Sequence, residues 1–265
     1  MPAARGRFIA VVAAALVGLA GCAGMQPPVA EPAVPATPDQ ADLQRRAQIR
    51  LQLAIGYYSQ GQLKVALEEA NQALQLVPGH VDALTVRALT YMELEQPRLA
   101  EADFQRAMRL APGNPGLANN YGWFLCQTGR ERESIEYFES ALKNRAYQSP
   151  AKALNNAGEC STRIKDHAAA ERYLMRAYAY DPNSAETNTN LARLHYSRGD
   201  YQRARTYAAV AIRSEQAGAE ALWTALKVER KLGDNTAAGG LAAQLRRRFP
   251  DSREYAALLR GDFDE

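Results

Sequence analysis

The sequence predicts an all-α fold: a right-handed superhelical solenoid of six helical repeats with a C-terminal capping helix. From residue 47 to residue 252 the chain repeats with a period of 34 residues, and small residues recur at three fixed positions of each repeat. Such a period gives room for two amphipathic helices per repeat and is typical of stacked helical arrays. The repeats span 47–80, 81–114, 115–148, 151–184, 185–218 and 219–252. Ser149 and Pro150 are a two-residue insertion between the third and the fourth.

The small residues lie at the eighth, twentieth and twenty-seventh positions of each repeat. Two helices can cross closely only where their side chains are small, so these positions mark helix crossings. The residues are Ala54, Ala88, Gly122, Gly158, Ala192 and Leu226; Ala66, Ala100, Ser134, Ala170, Ala204 and Ala238; Ala73, Ala107, Ala141, Ala177, Ala211 and Leu245. The sixth repeat has leucine at two of these positions, as expected for an atypical terminal repeat. The pattern is that of tetratricopeptide repeats.

Glycine and proline mark the ends of the predicted helices. Between the two helices of a repeat, glycine can end the first helix; it occurs there as Gly61, Gly129, Gly199 and Gly233. After the second helix, proline prevents continuation; it occurs there as Pro78, Pro112, Pro182 and Pro250. Residues 253–265 then form a capping helix and tail. Tyr255, Leu258 and Leu259 are spaced to cover the apolar end of the array, and the tail "GDFDE" is expected to fray.

The N-terminal residues differ from the repeats. Arg5 and Arg7 precede "FIAVVAAALVGLA" at 8–20, an uncharged run that is too short to span a bilayer comfortably. A basic start followed by a short apolar run is typical of an export signal, and we assign residues 1–21 to a signal peptide. The alternative is a membrane anchor or a buried helix.

The stretch "LAGC" at 19–22 resembles the lipobox of bacterial lipoproteins. That resemblance implies cleavage before Cys22 and fatty acylation of this cysteine. Ala23 after the cysteine then favours the outer membrane. Residues 22–46 would hold the lipidated cysteine and a proline-rich tether, which acts either as a ruler or as a spacer of no defined length.

Cys126 and Cys160 are the two remaining cysteines. They lie at positions twelve and ten of neighbouring repeats, on adjacent helices at nearly the same height. An oxidising periplasm favours their pairing. A disulfide here would contribute about 3–4 kcal/mol in the chain-entropy model. The alternative is two free buried thiols that pack as small hydrophobic residues.

The first helix of each repeat is expected to line the concave side, through positions 2, 5, 9, 12 and 13. In repeats one to three these positions supply an apolar patch suited to a partner's hydrophobic segment: Leu51, Ile55, Tyr58, Leu89, Met92 and Trp123. In repeats three to five the same helices carry amides that can bind a peptide backbone: Asn119, Asn120, Asn155, Asn156, Asn188 and Asn190. Alternatively, the apolar residues pack between helices, and the amides bond to neighbouring repeats or cap helices.

The remaining features favour binding over catalysis. A formal net charge of +3 is too weak to indicate nucleic acid, and His80, His167 and His195 lack metal-ligand spacing. No nucleophile elbow, phosphate loop, zincin helix or paired-carboxylate motif appears. We expect a monomeric scaffold with no cofactor, no metal and no enzymatic activity. The basic cluster "LRRRF" at 245–249 is either a solvated helix end or a contact for acidic lipid or cell-wall polymer.

Two stretches, "NNYGWFLCQTGR" at 119–130 and "ALNNAGECSTRIKDHAAAERYLMRAYAYDPN" at 153–183, resemble the type IV pilus biogenesis/stability lipoproteins, the pilotins of the pilus secretin. The resemblance implies an outer-membrane scaffold that binds the secretin and promotes its insertion and multimerisation, in support of pilus biogenesis and twitching motility. It implies that Cys22 is lipidated, and Cys126 and Cys160 match the family's cysteine pair. The alternatives are a scaffold for barrel assembly or for peptidoglycan hydrolases, a wall hydrolase, and a structural component of the pilus channel.

Overall fold

The computed structural model describes residues 38–263. In this part of the chain the only regular elements are thirteen α-helices. The all-helical repeat fold predicted from the 34-residue period is therefore confirmed. The predicted signal peptide and Cys22 lie outside the described residues.

Twelve of the helices form six consecutive pairs, one pair in each repeat, and the thirteenth follows the last pair. The pairs are α1 (Pro38–Ser59) and α2 (Leu63–Leu76); α3 (Val81–Glu93) and α4 (Pro97–Leu110); α5 (Pro115–Gln127) and α6 (Glu131–Lys143); α7 (Pro150–Arg163) and α8 (His167–Tyr178); α9 (Ala185–Ser197) and α10 (Tyr201–Ala211); α11 (Ala219–Leu232) and α12 (Asn235–Arg248). The last helix is α13 (Arg253–Arg260). The odd-numbered helices α1 to α11 contact one another in sequence, which places them side by side in one row.

The first helix begins earlier than predicted. α1 starts at Pro38, so residues 38–46, which we assigned to the tether, are helical. Proline suits the first position of a helix. The negative charge of Asp39 in the first turn stabilises the helix through the positive end of its dipole. No proline or glycine follows until Gly56, and the helix therefore runs without interruption into the first repeat.

All six turns between paired helices use a left-handed residue at the fifteenth position of the repeat. The predicted glycines Gly61, Gly129, Gly199 and Gly233 have φ values of 72°, 83°, 75° and 79°. In the second and fourth repeats this position holds Glu95 (φ 57°) and Lys165 (φ 60°). Side chains with a Cβ are disfavoured in this region, so these two turns are strained relative to the other four.

The three small positions are buried in every repeat, as expected for helix crossings. The closest approach occurs at Gly158, where an added Cβ would lie 2.5 Å from both Cγ and Cδ2 of Leu174. At Gly122 an added Cβ would lie 2.9 Å from the ring of Phe138 and 3.1 Å from the carbonyl oxygen of Ser134. The α7–α8 and α5–α6 pairs therefore need glycine where three other repeats have alanine.

The C-terminal segment covers the last repeat, with two differences from expectation. Tyr255 and Leu258 pack against the core of the sixth repeat, but Leu259 is 71% exposed. The tail does not fray at Phe263, whose ring centroid lies 5.3 Å from that of Trp223. The guanidinium of Arg230 lies 3.7 Å from the same Phe263 ring centroid. The aromatic residue therefore extends the cap beyond α13.

Within residues 38–263, we find no helix that is both long and apolar enough to cross a membrane.

Candidate functional site: the central groove

The row of odd-numbered helices encloses a cavity of about 480 Å³, here called the central groove. Three kinds of side chain line it. The apolar end holds Tyr58, Leu89, Met92 and Trp123; the middle holds Asn120, Asn156, Thr189 and Asn190; the charged positions are Glu93, Glu159, Glu186, Glu220 and Lys152. The groove therefore offers an apolar wall, hydrogen-bonding amides and carboxylates within one concave surface.

At the apolar end, α1 and α3 are joined by a hydrogen bond from the Tyr58 hydroxyl to Glu93. Burial and, to a smaller extent, the neighbouring Glu93 carboxylate together raise the pKa of Tyr58 to about 12. Tyr58 is thus a neutral donor throughout the physiological pH range. Trp123 of α5 is half-buried, and the guanidinium of Arg163 lies 5.8 Å from its ring centroid. Arg163 therefore packs on the indole, and part of the ring stays exposed to the groove.

The amides form a short relay between the third and fourth repeats. Asn156 Nδ2 donates to Asn119 Oδ1 at 3.0 Å, and Asn119 Nδ2 donates to Asn120 Oδ1 at 3.3 Å. Asn190 differs from the others: the residue is 6% exposed, and its amide, which makes no side-chain hydrogen bond within residues 38–263, remains open to the groove. Asn190 therefore presents both a donor and an acceptor to a groove ligand.

Seven of the residues predicted to bind a partner line the groove, and five do not, among them Asn188, which is 0% exposed. The seven are Tyr58, Leu89, Met92, Asn120, Trp123, Asn156 and Asn190. Ile55 is 41% exposed on α1 but lies outside the cavity. The other three, Leu51, Asn119 and Asn155, are 2%, 1% and 3% exposed and do not face the groove.

The three misassigned residues share the fifth position of their repeats. Leu51 belongs to the core that includes Ala83 and Leu84 of the next repeat. Asn155 donates to Thr187 Oγ1 at 3.1 Å, and Asn119 accepts from Asn156, so both amides join neighbouring repeats. Asn188 is likewise occupied, donating to the carbonyl oxygens of Pro182 and Ser184, both at 2.8 Å. The open alternative, packing and hydrogen bonding to neighbouring repeats, describes Leu51, Asn119 and Asn155.

The charged residues of the groove are absent from the predicted site. Lys152, Glu186 and Glu220 occupy the second position of repeats four to six, and Glu159 occupies the ninth. Both positions belong to the set expected to face the concave side. Extending the positional rule beyond the third repeat would have found these side chains.

Two arginines outside the cavity lining hold two of the carboxylates. Glu159 Oε1 lies 2.7 Å from Arg163 Nη2 and 3.6 Å from Arg193 Nη1. Glu220 Oε1 lies 2.7 Å from Arg193 Nη1. The arginines therefore orient Glu159 and Glu220 across the α7, α9 and α11 boundary.

Glu186, by contrast, is not held by an arginine. Its carboxylate has no ion-pair partner among the described residues, and its side chain remains accessible from the groove. The enclosing walls nevertheless remove part of its hydration, and this burial raises the pKa of the Glu186 carboxyl. Lys152 opposes that shift, whereas Glu159 and Glu220 add to it. An added cation would relieve the mutual repulsion of these carboxylates.

A disulfide joins the two helices that carry the centre of the groove. Cys126 of α5 and Cys160 of α7 have their sulfurs 2.01 Å and their Cα atoms 5.9 Å apart. Both residues are at most 1% exposed. Because α5 carries Trp123 and α7 carries Asn156, the bond restricts the separation of the apolar wall from the amides.

Comparison with known protein families identifies the repeats. A tetratricopeptide repeat model matches residues 51–115, 85–149 and 125–185, and a second one matches residues 165–227. The chain belongs to the tetratricopeptide-repeat family. Among individual proteins, it is 27% identical to the type IV pilus assembly protein PilF of Pseudomonas aeruginosa, over 90% of this chain and 92% of PilF.

Solved structures show a similarity to the same group of pilus proteins. The crystal structure of PilW, described as a widely conserved type IV pilus biogenesis factor, superposes with a TM-score of 0.69 and 33% identity. This match covers 80% of the present chain and 98% of PilW. The structure of Pseudomonas aeruginosa PilF, with a TM-score of 0.65 and 24% identity over 83% of this chain and 99% of that one, supports the fold. This tetratricopeptide-repeat protein is therefore related to the type IV pilus biogenesis factors PilF and PilW.

Proposed function

We propose that this protein is an outer-membrane lipoprotein that binds the type IV pilus secretin and promotes its insertion and multimerisation. Its role would be pilus biogenesis and, through the pili, twitching motility. The observation that carries the proposal is the central groove, found in a chain similar over most of its length to pilus biogenesis factors. Binding, rather than catalysis, suits a surface that combines an apolar wall with amide donors and acceptors.

The membrane part of the proposal rests on the sequence. "LAGC" at 19–22 follows a short apolar run and supplies Cys22 as the acylation site. Each buried methylene adds about 0.8 kcal/mol to membrane binding, so several fatty chains make a durable anchor. Labelled palmitate is expected to enter the wild-type protein and not the Cys22→Ala variant. Equal labelling of both would contradict lipidation at this residue.

Deletion of the gene tests the assembly role. In the deletion strain we expect the secretin to remain monomeric, with heat-resistant rings absent from the outer-membrane fraction. Rings at the wild-type level would contradict the proposal. Recovery of barrel-assembly factors or wall hydrolases with the protein, in place of the secretin, would assign the scaffold to another envelope machine.

A charge placed in the apolar wall tests the groove itself. The double variant Leu89→Asp/Trp123→Asp puts two carboxylates where apolar contact is needed, and we expect secretin multimers to disappear. The control is Leu99→Asp/Leu110→Asp, because these leucines are 48% and 50% exposed on α4, outside the groove. Circular dichroism must show folded protein for both variants. Equal loss of multimers in both, or in neither, would contradict a role for the groove.

A further inference from the structure

The central groove is acidic although the chain as a whole is basic. Its lining contains four glutamates and one lysine, whereas the complete chain carries a formal net charge of +3. Arg163 and Arg193 hold Glu159 and Glu220 from outside the lining. Glu186 remains without an ion-pair partner among the described residues. A concave wall concentrates the field of such charges and attracts a cation of the partner.

A second, independent observation indicates that the ligand has a polypeptide backbone. Asn190 is 6% exposed as a residue and lines the same cavity, and its amide faces the cavity without a hydrogen-bond partner within the described chain. Asn120 and Asn156 occupy the equivalent sixth position of the two preceding repeats, so the groove has one amide per repeat. An amide donates and accepts at once, which matches the alternating N–H and C=O groups of an extended chain.

We propose that the groove binds an extended segment of its partner in which a lysine or arginine lies close to a large apolar residue. The apolar side chain packs against Leu89, Met92 and Trp123. The cationic side chain enters beside Glu186, and the amides of Asn156 and Asn190 bond to the backbone between them. This proposal deepens the function proposed above and rests on it, because it describes the chemistry of the segment that the groove receives.

An extended segment fits these groups better than a helix. A helix uses its N–H and C=O groups internally, and only its ends offer backbone groups to a row of amides. An extended strand exposes every second backbone group to one side and projects its side chains alternately. Lysine and arginine also pack their methylene stems on apolar surface while the charge reaches a carboxylate. The stem of the basic residue can therefore pack along the groove while its charge reaches Glu186.

The sequence preference of the groove tests the proposal. A phage library of random dodecapeptides is selected on the immobilised full-length protein and, in parallel, on its Trp123→Asp variant. Peptides that bind only the wild type are expected to contain lysine or arginine at a constant separation from an aromatic or aliphatic residue. Groove-dependent peptides without basic enrichment would overturn this inference and leave the proposed groove function intact. If no peptide depends on Trp123, both the inference and the groove function fail.

A double-mutant cycle tests the role of Glu186 directly. Calorimetric titration compares a selected peptide with its version in which the basic residue is glutamine, on wild-type protein and on Glu186→Gln. We expect Glu186→Gln to weaken the basic peptide about two- to fivefold, as for an ion pair that water can reach, and to leave the glutamine peptide unchanged. Glu136→Gln is the matched control, since Glu136 is exposed on α6 and outside the groove lining. Equal effects of Glu186→Gln on both peptides would contradict pairing at this carboxylate.

Discussion

Gly158 offers a quantitative test of the helix crossings on which the repeat array depends. It lies in α7 at the eighth position of the fourth repeat, and an added Cβ would be 2.5 Å from both Cγ and Cδ2 of Leu174. Leu174 is 0% exposed and packs with Leu191 and Leu194, so its side chain has no space into which it can move. Overpacking costs about 1–3 kcal/mol, and the upper part of this range, about 2–3 kcal/mol, applies here because Leu174 cannot move away. Alanine regains about 1 kcal/mol of helix propensity, and we therefore expect Gly158→Ala to lower the free energy of unfolding by about 1–2 kcal/mol.

Gly56 provides the matched control. It is also a helical glycine, in α1, but an added Cβ would meet no atom within 4 Å. Gly56→Ala is therefore expected to raise the free energy of unfolding by about 1 kcal/mol. Urea unfolding followed by circular dichroism measures both variants. Combining Gly158→Ala with Leu174→Ala should give a total loss smaller than the sum of the single losses, because the second change removes the clash. An unchanged or increased stability of Gly158→Ala would refute the reasoning.

Three further predictions concern the turns, the disulfide and a buried histidine. Glu95→Gly and Lys165→Gly should each raise the free energy of unfolding by about 0.5–1 kcal/mol, since glycine accepts the left-handed turn without strain; urea titration checks this, and a loss would contradict it. Cys126→Ala/Cys160→Ala should lower the free energy of unfolding by about 4 kcal/mol. A reducing agent should then have no further effect on the stability of the variant. Burial lowers the pKa of His195, so the unfolded chain binds a proton more readily than the folded one. Stability should therefore fall as the pH drops below about 6.5, and His195→Gln should flatten this dependence in urea titrations at several pH values.

The sequence was sufficient for the helices and most turns because both depend on local patterns. The 34-residue period and the recurring small residues mark where each helix pair crosses. Glu95 and Lys165 show the limit: neither residue predicts a left-handed turn, yet the packing of the repeat imposes one. α1 begins earlier than predicted because Pro38, which composition groups with the proline-rich tether, is acceptable at a first helical position.

The sequence predicted which side of each helix forms the site, but not which individual residues face the groove. A shift of one residue rotates a side chain by about 100° around a helix, and this separates Asn119 and Asn155 from Asn120 and Asn156. The fifth position points between repeats and the sixth points into the groove. Sequence periodicity cannot distinguish them, because amides suit both a buried hydrogen bond and a binding surface. Glu186, by contrast, lies at a position that the pattern identifies.

Site-specific photo-crosslinking in the living cell tests the groove most directly. A photoreactive amino acid replaces Met92, which lines the groove on α3, or Leu99, which is exposed on α4 and outside it. Both proteins must restore pilus assembly to a deletion strain before irradiation. We predict that the residue at 92 forms a covalent product with the secretin and that the residue at 99 does not. A secretin product from position 99 alone, or from neither position, would contradict the proposal that the groove holds the partner.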